Sequence, residues 1–137
     1  MRVFVDTSAL LAVLDASDRW HLATRERWNH FLTTGAELVT TNYVLVELYA
    51  LTQRRLGMQA VRTLYTDVQP VLTVVWVDEP THRAGVEVLL SSGSRGPSLV
   101  DCVSFVVMRQ EGIVDAFALD AHFGAQGFRC HPQTLVR

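Results

Sequence analysis

The chain has 137 residues and a formal net charge of −2, and 49% of its residues are hydrophobic. This composition predicts one globular domain, residues 1–137, and excludes a disordered chain or one that binds nucleic acid mainly through a positive field. The two cysteines form no disulfide framework, and no segment approaches the roughly 20 apolar residues of a membrane span. We therefore expect a cytoplasmic protein that does not contact a membrane.

Short apolar segments alternate with amphipathic ones along the whole chain. The predicted strands are 3–5, 37–40, 71–77, 114–119 and 128–130, and the predicted helices are 8–14, 20–32, 42–56, 59–68, 80–90, 98–111 and a short one from Ala121. Strands that are continuously apolar are typical of a sheet that is covered on both faces. The alternation therefore predicts an α/β fold with a mostly parallel sheet.

Four carboxylates lie at positions where this pattern predicts burial. Asp6 and Asp120 follow predicted strands, whereas Glu47 and Asp101 lie in apolar helices. Ligands of open α/β sheets bind beyond the carboxyl ends of the strands, and a buried unpaired carboxylate is costly, so one shared site explains all four acids. Two charges ~5 Å apart repel by roughly 3 kcal/mol at an effective dielectric of 20. A divalent cation such as Mg²⁺ or Mn²⁺, which prefers oxygen ligands, would relieve that repulsion.

Most of these acids also have a structural interpretation, which the sequence leaves open. Asp6 and Asp120 are placed to cap the helices that follow them, and Ser98 and Asp101 have the spacing of a capping box. Glu47 is harder to explain structurally, because its neighbours place it on or beside an apolar stripe. Capping and metal binding are compatible, since a helix start also orients the acid.

Several other residues lie close to these acids in the sequence. Thr7 and Ser8 would add hydroxyl or backbone N–H donors at a helix start, where anions are favoured. Asp115 lies inside a predicted strand, and we interpret it as structural. His122, in the segment ALDAHF, is also expected to have a structural role. Among the aromatic residues, Trp20, Trp28 and Tyr43 could stack on a base, and we expect Trp20 and Trp28 to serve packing or a dimer surface instead.

The segments VDTSAL, VELYAL, SLVDCVSFV and ALDAHF, in this order, resemble the PIN-domain family of metal-dependent ribonucleases, and in particular the VapC toxins of toxin–antitoxin pairs. The resemblance covers essentially the whole chain. It implies a three-layer α/β/α fold and an endoribonuclease that hydrolyses RNA with metal-activated water. The implied ligands of Mg²⁺ or Mn²⁺ are Asp6, Glu47, Asp101 and Asp120, and the auxiliary residues are Thr7, Ser8 and Ser98. A homodimer and a cognate VapB-like antitoxin that occludes the cleft are also implied.

Two other functions remain open from the residues alone. Asp6 could be the nucleophile of an aspartyl-phosphate phosphatase or phosphotransferase. However, Ser8 stands where the haloacid-dehalogenase superfamily has a second Asp, and the chain has no lysine. The acids could instead hold a structural ion in a non-catalytic interaction module. If RNA is the substrate, the candidates for phosphate contacts are Arg54, Arg55, Arg62, Arg83 and Arg95.

Overall fold

A parallel sheet of five strands lies at the centre of the structure, a computed structural model that describes residues 1–133. The strand order is β3-β2-β1-β4-β5, and every neighbouring pair is parallel. The strands are β1 (Arg2–Val5), β2 (Glu37–Thr41), β3 (Leu72–Val75), β4 (Asp115–Phe117) and β5 (Arg129–His131). The predicted α/β fold is confirmed, and the last four residues of the predicted domain, 134–137, lie outside the described residues.

Seven α-helices connect and cover these strands in the described chain. They are α1 (Thr7–Leu14), α2 (His21–Thr33), α3 (Asn42–Leu56), α4 (Met58–Thr63), α5 (Glu79–Ser91), α6 (Leu99–Glu111) and α7 (Ala121–Ala125). The helix predicted over 59–68 is α4 followed by a π-helical turn, Leu64–Val68, and Pro70 lies in a 3₁₀ turn, Gln69–Val71. None of the helices within residues 1–133 is long and apolar enough to cross a bilayer.

Two of the predicted strands are shorter in the structure because side chains replace strand neighbours as hydrogen-bond partners. After β3, the backbone N–H of Val77 donates to Oδ1 of Asn42 at 2.8 Å, which turns the chain out of the sheet. After β4, the backbone N–H of Leu119 donates to Oγ of Ser8 at 2.9 Å. Both bonds form beyond the carboxyl ends of the strands, at one edge of the sheet.

The hydrophobic core lies in two layers, one on each face of the sheet. On one face Val3, Val5 and Phe117 pack against α1, α2 and α3, and the Trp28 ring stacks on Phe117 with centroids 6.0 Å apart. On the other face Phe4 packs against residues of α6 and α7. Because successive residues of a strand point to opposite faces, the continuously apolar strands fill both layers.

Helices α5 and α6 approach each other closely at Gly85, which is buried. A Cβ atom built on Gly85 would lie 2.5 Å from Cγ2 of Val103 and 3.3 Å from the backbone of that residue. The absence of a side chain therefore permits the packing of the helix that carries Asp101.

We expect the Gly85→Ala substitution to lower the free energy of unfolding by about 1–3 kcal/mol, because the new methyl group forces α5 and α6 apart. This loss outweighs the gain in helix propensity, which is about 1 kcal/mol. Urea denaturation followed by circular dichroism measures the change in the free energy of unfolding. Gly124→Ala in α7 is the control, since its Cβ would meet only Sγ of Cys130 at 3.9 Å. Equal stabilities of the two variants would contradict the prediction.

Candidate active site

The structure brings the four predicted acids together beyond the carboxyl ends of the strands. Asp6 lies between β1 and α1, and Asp120 lies between β4 and α7. Glu47 lies in the second turn of α3, and Asp101 lies in the first turn of α6. The charges of Asp101 and Asp120 act on Asp6, and those of Asp120 and Glu47 act on Asp101. The four side chains thus form one electrostatically connected group.

Asp6 is the most deeply buried acid of this group, with 2% of its surface exposed. Its Oδ2 accepts hydrogen bonds from the backbone N–H of Ser8 at 3.1 Å and from Oγ of Ser8 at 2.6 Å. Its Oδ1 is buried and accepts no hydrogen bond from any of residues 1–133. Burial raises the pKa of Asp6 to about 7, the hydrogen bonds from Ser8 lower it, and the charges of Asp101 and Asp120 raise it by smaller amounts.

The segment Asp15-Ala16-Ser17 provides an internal comparison. Oδ1 of Asp15 accepts from the N–H and Oγ of Ser17 at 3.0 and 2.6 Å, which are nearly the distances at Asp6 and Ser8. There the Ser17 hydrogen bonds lower the pKa of the solvent-accessible carboxyl group. The same local bonds therefore accompany opposite pKa shifts, and burial makes the difference.

Ser8 links two distant loops through its hydroxyl group. Besides donating to Asp6, Oγ of Ser8 accepts hydrogen bonds from the N–H groups of Leu119 at 2.9 Å and Asp120 at 3.3 Å. Thr7 is buried, and its hydroxyl donates to the carbonyl oxygen of Val44 in α3 at 3.5 Å. The two residues after Asp6 therefore hold the elements that carry the acids in register.

Asp101 takes part in the capping box that the sequence predicts. Its N–H donates to Oγ of Ser98 and its Oδ2 accepts from the N–H of Ser98, both at 3.2 Å. Only 8% of its surface is exposed, and burial, followed by the charge of Asp120, raises its pKa to about 6. The structural and the functional interpretations of this acid thus coexist, because the capping box directs the carboxylate towards the other acids.

His122 contacts Asp120 directly, although the sequence predicted only a structural role for this histidine. Oδ1 of Asp120 accepts from the N–H of His122 at 2.8 Å and contacts Nδ1 of the ring at 2.8 Å. Asp101, Asp120 and His122 each offer a ligand atom, and these atoms lie within 4.8 Å of one another. The spacing Asp-x-His at the start of α7 is the sequence signal for this pair. Two carboxylates and an imidazole suit a divalent cation.

Asp115 lies outside this group, as the structural interpretation requires. It begins β4 and pairs with Val3, so it lies towards the opposite edge of the sheet from Asp6. Its Oδ1 accepts from Nε of Arg129 at 2.7 Å and contacts Nε2 of His131 at 2.9 Å. Burial raises the pKa of Asp115, but the hydrogen bonds from His131 and Arg129 outweigh burial and lower it. This acid joins β4 to β5.

The candidate arginines lie on α3, α4, α5 and the loop before α6. Arg54 and Arg55 lie in the last turn of α3, and Arg54 is about 10 Å along the helix from Glu47. Arg83 forms an ion pair with Glu79. Arg62 and Arg95 are exposed, on α4 and on the loop before α6. A cavity of about 350 Å³ does adjoin the acids, lined by Asn42, Tyr43, Val46, Glu47 and Val100.

Comparisons with known proteins give consistent results. The PIN domain family matches residues 3–128. The 23S rRNA-specific endonuclease VapC20 of two Mycobacterium tuberculosis strains is 35% identical over 127 residues, which cover 92% of this chain and 95% of the relative. A crystal structure of Mycobacterium tuberculosis VapC20, described as a sarcin–ricin loop cleaving toxin, has a TM-score of 0.82 at 34% identity, covering 92% and 95% of the two chains. FitAcB from Neisseria gonorrhoeae shares the fold, with a TM-score of 0.69 at 13% identity. The match covers 95% of this chain and 96% of the other.

We expect stability to fall with rising pH in metal-free buffer, because the pKa of Asp6 is about 7 in the folded protein against an ordinary value of 3.8. The folded state binds the proton more tightly between pH 4 and pH 7, so the stabilisation present below pH 4 is lost across that window. The Asp6→Asn variant lacks this loss. At pH 7.5 it should be more stable than wild type by up to about 4 kcal/mol, and near pH 4 the two should agree.

Urea denaturation across this pH range measures that difference. Other carboxyl groups, such as Asp115 with its lowered pKa, titrate in both proteins and cancel in the comparison. Parallel stability curves for wild type and Asp6→Asn would contradict the assignment of a strongly raised pKa to Asp6.

We expect Ser8→Ala to destabilise the protein by about 1–3 kcal/mol, because the N–H of Leu119 loses its acceptor along with the bond to Asp6. Ser17→Ala is the matched control: it removes the same local bond at the surface, and its effect should stay within about 0.5 kcal/mol. Denaturation at constant pH measures both. Equal losses for the two variants would show that the link between the loops is unimportant.

Proposed function

Because the chain belongs to the PIN domain family, whose members are nucleases, we propose that it is a metal-dependent endoribonuclease and the toxin of a type II toxin–antitoxin system. The observation that carries this proposal is the convergence of Asp6, Glu47, Asp101 and Asp120 beyond the strand ends, with buried Oδ1 of Asp6 lacking a hydrogen-bond donor within the described chain. A phosphotransferase is less well supported, because Ser8 stands where the haloacid-dehalogenase superfamily has a second Asp and the chain has no lysine.

We propose ribosomal RNA as the substrate. VapC20 is named as an endonuclease specific for 23S rRNA, and its crystal structure is described as that of a toxin that cleaves the sarcin–ricin loop. The similarity extends over nearly the full length of both chains, and the family match over residues 3–128 includes all four acids of the site. The same loop of 23S rRNA is therefore the first substrate to test.

The residues at the site fit a divalent metal ion, and we propose Mg²⁺ or Mn²⁺. Oδ1 of Asp6 is buried and meets no donor among residues 1–133, and Asp101, Asp120 and His122 offer ligand atoms within 4.8 Å of one another. Asp6, Asp101 and Asp120 would hold the ion directly, and Glu47 would complete the acidic group. When bound, such an ion stabilises negative charge on the scissile phosphate and makes water a better nucleophile.

The side chains of the site have distinct roles in this mechanism. Ser8 fixes the carboxylate of Asp6 and the loop of Asp120, so that the two acids would hold the same ion. Ser98 orients Asp101 through the capping box. Glu47 lines the cavity beside these acids and is placed to accept a proton from the attacking water. Asp6 and Asp101 have raised pKa values in the metal-free protein and must lose their protons to bind the ion, so the affinity for the metal should rise between pH 6 and 7.

The proposal extends to the partners and the location of the protein. A VapB-like antitoxin would occlude the acidic group, and a basic side chain is the natural complement to it. We also propose that the protein forms a homodimer and acts in the cytoplasm, where ribosomal RNA is found. Cys102 and Cys130 are both free thiols, which agrees with a reducing compartment.

We expect Asp6→Asn and Asp101→Asn to lower RNA cleavage at least 100-fold, since each removes a negative charge from the proposed metal site. Cleavage of 23S rRNA in purified ribosomes, measured by primer extension with Mg²⁺ or Mn²⁺, tests this. A chelator should abolish the wild-type activity. Asp15→Asn is the matched control and should retain full activity, because Asp15 makes the same bonds to Ser17 outside the site. Full cleavage by both site variants would refute the proposed function.

A further inference from the structure

We propose that the cavity beside Glu47 holds an unpaired nucleobase of the RNA, next to the scissile phosphate, with the ring of Tyr43 as its stacking wall. This inference rests on the proposed function and adds to it a subsite for one base. Without such a subsite, the acidic group would bind any phosphate of an accessible strand equally well, because phosphate contacts carry no sequence information.

The cavity is continuous with the acidic group through two helices. Tyr43, Val46 and Glu47 are spaced i, i+3 and i+4 in α3, so they share one face of the helix. Val100, on the opposite wall, directly precedes Asp101 in the first turn of α6. One wall residue is thus a member of the acidic group and another is its neighbour in sequence. A phosphate at the acids would place an adjacent base at this cavity.

Tyr43 is held in place before any substrate binds. Its hydroxyl shares a hydrogen bond with Nδ1 of His82 in α5, and the two rings meet edge to face with centroids 5.8 Å apart. Val46 is 70% exposed, which is unusual for a valine and leaves an apolar surface at the mouth of the cavity. Stacking of a base on an aromatic side chain contributes about 1–3 kcal/mol, and a ring that is already fixed loses little entropy on binding.

The chemistry of the lining suits a base better than a phosphate. No arginine of the described chain lines the cavity, and its one charged residue, Glu47, would repel a phosphate. Asn42 uses Oδ1 to accept from the N–H of Val77, which fixes the side chain and leaves its amide N–H groups as donors. An aromatic face, apolar walls, an amide donor and a carboxylate acceptor together match the flat faces and polar edge of a nucleobase.

The experiment is a double-mutant cycle between the base and the tyrosine. A synthetic sarcin–ricin loop hairpin of 23S rRNA is prepared with an abasic nucleotide on either side of the scissile phosphate. Cleavage of the intact and abasic hairpins is compared for wild type, Tyr43→Leu and Tyr43→Phe. Tyr65→Leu is the control, since Tyr65 is an exposed tyrosine that does not line the cavity.

We expect one abasic position to raise KM of the wild type about 10-fold, and the same position to change KM of Tyr43→Leu less than 2-fold. In Tyr43→Phe and Tyr65→Leu the abasic nucleotide should raise KM as much as in the wild type, because both variants keep an aromatic ring at position 43. Val46 is exposed, so Val46→Gln should not disturb the core. In this variant the factor by which the abasic nucleotide raises KM should be at least 3-fold smaller than in the wild type. It provides a second test if Tyr43→Leu does not fold.

The outcomes separate this inference from the proposed function. If the wild type cleaves the intact hairpin but the abasic penalty is the same in Tyr43→Leu and Val46→Gln, the cavity is not a base subsite, and a side chain of a protein partner is the better occupant. If the wild type cleaves neither the intact hairpin nor ribosomes, the proposed function itself is overturned.

Discussion

The burial of carboxylates close to one another is the constraint on which the rest of this structure depends. Asp6 and Asp101 have pKa values of about 7 and about 6, chiefly because they are buried and then because each lies near other acids. A sheet covered on both faces creates this situation, because its strand ends are the places where polar side chains can meet inside the fold. The repulsion costs stability in the absence of a cation, and the same unsatisfied oxygens make the binding of a cation favourable.

The hydrogen bonds that begin the helices also organise the acids. Asp6, Ser98 and Asp120 each cap a helix with a side-chain oxygen, and these bonds fix the direction of the carboxylates at the site. Asp15 and Ser17 make the same local contacts without any role in the site. Local hydrogen bonding therefore does not distinguish a functional acid from a structural one. The distinction comes from the position of the acid relative to the sheet and from the charges around it.

Much of the fold follows from the sequence because its strands are apolar and parallel strands align their carboxyl ends. That rule predicted the meeting of Asp6 and Asp120, and the apolar context singled out Glu47 and Asp101. His122 was expected to be structural, since a histidine near an acid usually is, and its contact with the carboxylate of Asp120 was not predicted. The ends of β3 and β4 were also wrong, because Asn42 and Ser8 supply hydrogen-bond partners from distant parts of the chain. Side-chain contacts of that kind have no periodic signal.

Ser8 and Asp120 are 112 residues apart in the sequence, yet one hydroxyl group joins their loops. During translation, Asp6 and Ser8 leave the exit tunnel before β4 and α7, which carry the other side of this link. The acidic group therefore cannot assemble on an unfinished chain. A shortened chain that lacks β4 and α7 therefore lacks Asp120 and the link through Ser8, even though β1 and α1 are present.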